Sequence, residues 1–174
     1  GDDIFSGYRR HQAIEIDTYM SKIPKFLRTK FKELIQKLPS SSNFIRRLKK
    51  YTRYFDLDGN DKIISYFNWI DKDTRRNLFS NNVKNYLENE NHDTSFELKK
   101  ELERLPKETS SLNKMLNLDL KFFLPDHNLN YTDKMGMKEG VEIRVPFLDN
   151  ELVDFASTIP VKYKQNGKHG KYIL

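Results

Sequence analysis

Pro24-Lys25-Phe26-Leu27-Arg28-Thr29-Lys30-Phe31-Lys32-Glu33-Leu34-Ile35-Gln36-Lys37-Leu38-Pro39 decides the fold class. Leu27, Phe31, Leu34, Ile35 and Leu38 recur at i, i+4, i+7, i+8 and i+11, one stripe of an amphipathic helix. Pro24 suits a first helical turn, where a missing N–H costs nothing, and Pro39 with Ser40-Ser41-Ser42 breaks the pattern and offers the next N-cap. Helical spacing continues outward on both sides. Downstream, Phe44, Leu48, Tyr51 and Phe55 mark a second helix. Residues 61–70 predict a third, with Trp69 as an aromatic anchor, and 72–80 a fourth capped by Asp71. Leu98, Leu102 and Leu105 mark one closed by Pro106, while Leu112, Leu116, Leu120 and Phe123 mark a longer one closed by Pro125. Residues 128–139 and 150–159 add two more, the last carrying Leu152, Phe155, Ala156 and Ile159. Upstream, 9–20 is helical. No stretch alternates as a half-buried strand does, so a mostly α chain is expected, its stripes forming the core.

Two polar stretches interrupt the helices. Asp56-Leu57-Asp58-Gly59-Asn60-Asp61 is a turn. It has the look of a calcium loop, but the position six after the glycine, which should be acidic, is Ser65, so calcium is set aside. Glu88-Asn89-Glu90-Asn91-His92-Asp93 is the most loop-like part of the middle.

Composition narrows the class. With 174 residues the chain suits one domain. Charged residues make up 32% and hydrophobic ones 37%, with mean hydropathy −0.79, the profile of a soluble helical protein. No apolar run approaches the ~20 residues of a membrane helix, and nothing at the start reads as a signal peptide. With no cysteine there is neither a disulfide framework nor a Cys-type zinc site, and a reducing cytoplasm fits. His11, His92, His127 and His169 show no metal-ligand spacing.

The net charge of +6 is unevenly placed. Between Lys22 and Phe55 stand eleven Lys/Arg and one acid, Glu33, for a local charge of +10 that leaves −4 elsewhere. Arg46, Lys50 and Arg53 fall at i, i+4 and i+7 on one helical face, as in a phosphate-tracking helix. A basic helical nucleic-acid-binding module is therefore a rival reading, though no helix-turn-helix or RNA-recognition signature accompanies it. A solvated face or an acidic neighbouring domain explains the same charges.

The two ends carry the chemistry. Asp2-Asp3 precedes Phe5-Ser6-Gly7-Tyr8 at a loop-to-helix junction. Such a pair serves either as an N-cap favoured by the helix dipole or in a Mg²⁺ site, since that ion takes one or two protein carboxylates plus phosphate oxygens. Asn166-Gly167-Lys168-His169-Gly170-Lys171 is a cationic glycine-bearing loop. It is either solvated or phosphate-approaching, and its spacing is not that of a Walker A loop.

Glu142-Ile143-Arg144-Val145-Pro146-Phe147-Leu148-Asp149, followed by Lys171-Tyr172-Ile173-Leu174, resembles the E-x-R-x-P-F-L-D … K-Y-(I/L)-L signature of the asparagine synthetase family. Gly1-Asp2-Asp3-Ile4-Phe5-Ser6-Gly7-Tyr8-Arg9-Arg10-His11 resembles the same family's G-D-E-L-F-G-G-Y-x-R-Y loop, with Asp3 in place of Glu and Ser6 in place of Gly. Leu124-Pro125-Asp126 through Met137 resembles L-P-D-x-x-L-x-K-x-D-R-x-S-M; Asp133 and Met137 agree, while Tyr131, Lys134 and Gly136 replace Lys, Arg and Ser. The middle, from about Ile14 to Lys121, matches in helical character alone.

The resemblance implies a single partial domain over residues 1–174. It would be the mostly α, C-terminal portion of an α/β ATP-pyrophosphatase synthetase domain, similar to the adenine nucleotide α-hydrolases. It implies a parent enzyme that activates a carboxylate with ATP and Mg²⁺ as an acyl-adenylate and then forms an amide with glutamine-derived ammonia. Aspartate is the default acceptor, with glycan-amidating, β-lactam-closing and peptide-cyclising relatives as alternatives. By the same resemblance Asp2 holds the Mg²⁺-pyrophosphate end of ATP, Asp3 lies near the amino-acid substrate, and Lys171 reaches the α-phosphate and leaving pyrophosphate. Asp133, Glu142 and Arg144 serve as site wall or scaffold, the last two as an ion pair orienting the loop before Pro146. Asp149 caps the helix that follows. An S-G-G-x-D-S ATP loop and a glutaminase domain are expected upstream, on the same parent chain, so the 174 residues by themselves are expected to be catalytically silent.

Overall fold

The computed structural model describes residues 1–70, 72–89 and 95–174. The expected cap at Asp71 and residues 90–93 of the expected loop lie outside them. The chain opens with α1 (Asp2–Phe5) and α2 (Arg9–Met20). There follow α3 (Lys25–Lys37), α4 (Asn43–Thr52), α5 (Gly59–Ser65), α6 (Lys72–Asn77), α7 (Asn81–Asn89) and α8 (Phe96–Arg104). Next come α9 (Ser111–Leu118), a π-helical segment (Asp119–Leu129), α10 (Asn130–Lys138), a 3₁₀ turn (Pro146–Leu148), α11 (Asn150–Thr158) and α12 (Val161–Lys164). Two-residue strands β1 (Gln165–Asn166) and β2 (His169–Gly170) close the described chain as an antiparallel pair, Gln165 opposite Gly170. The mostly α expectation is met.

Two compact units divide these elements: Gly1–Ile23 with Lys107–Leu174, and Pro24–Pro106. In the second, α3 packs on α4 and α5 on α8. Ser42 Oγ accepts the Ile45 N–H at 3.2 Å and caps α4, the role its position predicts. Arg28, only 7% exposed, donates to the Phe55 carbonyl at 2.7 Å and to Asp58 at 2.8 Å. Lys32 donates to Asp56 at 2.7 Å. Burial opposes ionisation of Asp56, yet Lys32 and a backbone N–H outweigh it and hold the carboxyl below its usual range. Side chains of α3 thus tie down the start of the 56–61 turn.

Several expectations are corrected in this unit. The α3 stripe is only partly core: Ile35 is buried, whereas Leu27, Phe31, Leu34 and Leu38 stay exposed. One packed neighbour covers less than the whole apolar arc of a helix, and here it covers the edge carrying Arg28 and Ile35. The 61–70 helix runs instead from Gly59 to Ser65. The chain then winds into i→i+3 turns, with the N–H groups of Tyr66, Phe67 and Asn68 donating to Ile63, Ile64 and Ser65. Trp69 lies beyond that end and is 79% exposed, so it anchors no core. The helix expected over 72–80 stops at Asn77, and α7 absorbs the first two residues of the expected 88–93 loop.

In the first unit, Leu112, Met115 and Leu118 are fully buried along α9, which packs on α2. Pro125 does not close this helix. The π-segment carries the chain past it into α10, and the Asn130 N–H reaches the Pro125 carbonyl. A proline lacks an N–H and its ring crowds the carbonyl four residues earlier; the wider π-turn accommodates both. Ile4 and Phe5 of α1 pack with Ala156 of α11 and Ile159 at its C-cap. Phe155 on that helix, expected inward, is 61% exposed. Asp149 caps α11 as expected, accepting the N–H groups of Glu151 and Leu152.

Candidate functional site

The two terminal motifs meet. After α1 the chain reverses at Ser6, which takes φ 67°, a left-handed conformation rare for a side chain with a Cβ. Ser6 is fully buried and its hydroxyl donates to Gln165 Oε1 at 2.8 Å. The Gln165 amide in turn donates to the Gly167 carbonyl at 2.8 Å, which shapes the turn between β1 and β2. The Lys171 N–H donates to the Phe5 carbonyl at 2.9 Å, and Lys171 is the second non-glycine residue with positive φ, at 53°. Strain of this kind costs about 1–3 kcal/mol and persists where the surroundings over-determine it. Here two loops clasp each other through backbone and buried side chains.

The clasp brings Lys171 Nζ to 2.9 Å from Asp2 Oδ1, with both side chains nearly half exposed. Gly7 is required below them: a Cβ there would lie 1.6 Å from Asp2 Oδ1. The carboxylate is seated directly on that glycine. The expected alternative of an acidic N-cap is not realised, for Gly1 holds the cap position of α1 and no side chain bonds it.

Asp3 turns the other way and is only 6% exposed. The Tyr8 hydroxyl donates to its Oδ1 at 3.1 Å and accepts from Asn128 Nδ2, on the π-segment, at 2.9 Å. Burial, with the charges of Asp3 and Asp2, pushes the Tyr8 phenol up to about 12 against the opposing donation from Asn128. The Arg10 guanidinium sits 4.4 Å from the Tyr8 ring centre and 4.3 Å from that of Phe123, while the Phe123 ring meets Tyr8 edge-on at 5.7 Å. Beneath this stack Asp119, fully buried, accepts from Arg10 at 2.5 Å and from His11 Nε2 at 2.6 Å. His11 Nδ1 accepts the Tyr8 N–H at 3.3 Å, which places the imidazole proton on Nε2.

The remaining site candidates lie around this centre. Phe147 of the Pro-Phe-Leu turn meets Phe5 edge-on at 6.4 Å. Glu142 and Arg144 form the expected ion pair at 2.8 Å, both largely exposed. Asp133 is exposed on α10 and makes no hydrogen bond or ion pair with Asp2, Asp3 or Lys171. Among the described residues no three His, Asp or Glu side chains converge as a metal cluster. A lone carboxylate such as Asp2, beside a cation and with one oxygen left unbonded, suits Mg²⁺ carried in by phosphates, which needs one or two protein ligands. None of the described helices is long and apolar enough to cross a membrane.

The asparagine synthase family model matches residues 1–174, the entire chain. The chain belongs to that family. It is similar to asparagine synthetase [glutamine-hydrolyzing] 1 of Bacillus subtilis (strain 168), 40% identical over 65 residues that cover 37% of this chain and 10% of that protein. It is also similar to a putative asparagine synthetase [glutamine-hydrolyzing] 1 of Methanocaldococcus jannaschii. That match is 51% identical over 39 residues, 22% of this chain and 7% of the relative. The matched stretches thus span a tenth or less of the relatives' lengths. No solved structure matches. The family's domain is of the ATP-pyrophosphatase type.

Within the asparagine synthase motifs, the sequence alone did not disclose the Tyr8–Asn128 pair or the Arg10–Asp119–His11 cluster. Asp119 offered a signal: an acid following directly on the apolar α9 stripe, on a face that must be buried, calls for cationic partners. Asn128 offered none, because its direction depends on the π-turns before it.

Proposed function

We propose that the full-length protein carrying this chain is an ATP-dependent amide-forming synthetase. In this reading aspartate, ATP and glutamine-derived ammonia give asparagine, AMP and pyrophosphate by way of an acyl-adenylate. The Lys171–Asp2 contact across the two clasped loops carries the proposal. A cation and a carboxylate side by side, both open to solvent and both fixed from below, suit a phosphate group and its magnesium ion. Mg²⁺ supplies charge neutralisation at the phosphates; the chain supplies the aligned partners. Lys171 is the residue proposed to stabilise negative charge as it builds on the α-phosphate and leaving pyrophosphate. Asp2 is proposed as the metal-side carboxylate and Asp3 as a group near the amino-acid acceptor. Asp133, Glu142 and Arg144 are proposed as wall and scaffold. Missing parts of the same parent chain, an ATP loop and a glutaminase, complete the reaction in a cytoplasmic enzyme.

The test is ATP–pyrophosphate exchange by the full-length protein, with L-aspartate against other carboxylates. Exchange that depends on aspartate supports the assignment. Exchange that depends instead on a glycan or peptide carboxylate selects a different acceptor, and none with any carboxylate refutes adenylation. The 174-residue chain alone is expected to be silent in this assay.

A second reading rests on α4 and its C-cap, where Arg46, Lys50 and Arg53 are all exposed. Binding of nucleic acid there is expected to be weak, non-specific and steeply lost with salt. Tight, sequence-discriminating binding at physiological salt would favour this reading over the synthetase.

A further inference from the structure

Ser6 stands where the backbone favours glycine. At φ 67° a glycine pays no steric penalty, whereas any residue with a Cβ is strained. What the side chain adds is one fully buried hydroxyl, which donates to Gln165 Oε1 at 2.8 Å. Gln165 is buried as well, and its Nε2 donates to the Gly167 carbonyl at 2.8 Å. One buried amide therefore holds Ser6 at one end and the turn between β1 and β2 at the other. Stability does not call for this pair. Glycine fits the turn without strain, and replacing both partners of a buried hydrogen bond by apolar groups is close to neutral.

The pair sits where the two loops cross. Phe5, just before Ser6, accepts the Lys171 N–H at 2.9 Å. Gly7, just after it, lies under the Asp2 carboxylate and donates its N–H to the Asp2 carbonyl at 2.9 Å. On the other loop Gln165 stands opposite Gly170, the residue before Lys171. The Ser6–Gln165 bond thus closes a ring whose opposite side is the Lys171–Phe5 bond, with Asp2 and Lys171 on its rim. The Lys171 side chain is nearly half exposed, so packing constrains it little. Its backbone seat, at φ 53°, decides where its ammonium reaches.

We infer that Ser6 and Gln165 act together as positioning residues for Lys171, holding the 165–171 hairpin on α1 so that the ammonium stays beside Asp2. This rests on the synthetase assignment above, in which that ammonium meets the phosphates of ATP. The hydroxyl of Ser6 sets the height of the hairpin, and Gln165 passes that setting to the turn. Neither side chain touches the reacting groups; both act through Lys171.

The experiment is ATP–pyrophosphate exchange by the full-length enzyme at saturating L-aspartate, with Tm measured on the same preparations. Ser6→Ala keeps the backbone strain and removes the hydroxyl, whereas Ser6→Gly removes both. Glycine is therefore the more stable variant, and a merely structural role makes it the more active one too. Positioning impairs both alike. A misplacement of about 1 Å costs up to about 100-fold, so kcat is expected to fall about 10- to 50-fold in each, with KM for ATP within about threefold. Gln165→Met, which fills the same space without the amide, is expected to lower kcat by a similar factor. Combined with Ser6→Gly it should add less than about threefold, because coupled residues are not additive. In a Lys171→Met background Ser6→Gly is likewise expected to cost less than about threefold. The inference is overturned if kcat follows Tm through the three single variants, if kcat of Ser6→Gly stays within about twofold of the unsubstituted enzyme, or if the effects multiply fully with Lys171→Met. If neither Ser6 variant folds, Gln165→Met alone and in the Lys171→Met background gives the same decision. Absence of exchange by the unsubstituted enzyme with any carboxylate overturns the synthetase assignment and this inference together, whereas normal exchange with multiplicative effects overturns this inference alone.

Discussion

Gly170 packs so closely on Ser6 that a Cβ on the glycine would lie 2.0 Å from the Ser6 carbonyl oxygen. The contact lies within the clasp, beside the Ser6–Gln165 and Lys171–Phe5 hydrogen bonds. Gly170→Ala must push backbone against backbone, with no flexible side chain to give way. Overpacking of this kind costs about 1–3 kcal/mol. The expected outcome is a lower Tm together with weakened ATP binding in the full-length enzyme. Gly167→Ala is the control. Gly167 has open space around it but φ +57°, so alanine there strains the turn without wedging the loops apart. It should lower Tm with a smaller change in ATP affinity.

Asp119 supports the site from below. It is fully buried and shared by Arg10 and His11, so Asp119→Ala removes the buried carboxylate to which both donate. Removing one partner of a buried charged pair costs about 3–5 kcal/mol. Thermal or denaturant unfolding of the variant should show a loss of that size. His11→Ala should cost less, because Asp119 keeps Arg10. A loss below about 1 kcal/mol for Asp119→Ala would mean that the cluster is incidental.

Lys164 adds a pH dependence of known sign. It is 3% exposed, among the described residues its ammonium donates to the Asn113 amide oxygen alone, at 3.4 Å, and burial pushes it below the ordinary lysine value of 10.5. The unfolded chain therefore holds this proton more tightly than the folded one, and stability rises with pH between the lowered value and 10.5. At neutral pH the buried charge is a cost. Lys164→Met is thus expected to leave Tm unchanged or raise it at pH 7, and to flatten the rise in stability on the alkaline side. A lower Tm at pH 7 would show that the Asn113 contact outweighs desolvation.

What the sequence disclosed depends on the range of the interaction. Caps at Ser42 and Asp149 are local, settled within three residues, and both form as their positions predict. Helical periodicity around Leu112 and Leu116 is equally local, and those residues are buried. Periodicity fails where tertiary packing decides: the α3 stripe is wider than the surface that covers it, and Trp69 falls past the end of its helix. Pro125 misleads because a proline ends an α-helix but not a π-turn. At the site, motif resemblance brought Asp2 and Lys171 forward, and the structure places them in contact. The partners of Asp3 were hidden because Tyr8 finds Asn128 from the opposite half of the chain.

Lys171 and Lys168, three residues apart on one loop, provide the most direct test of the central claim. Lys171 is clasped against Asp2, while Lys168 is exposed and, among the described residues, its side chain makes no ion pair, its carbonyl accepting from Gln12. In ATP–pyrophosphate exchange by the full-length enzyme, Lys171→Met is expected to lower kcat about 10²–10³-fold, the usual loss for one preorganised electrostatic contact. Its KM for ATP should change far less. Lys168→Met is expected to exchange at nearly the unsubstituted rate. Equal losses at both lysines, or none at Lys171, would contradict the account and leave the loop as no more than a basic surface.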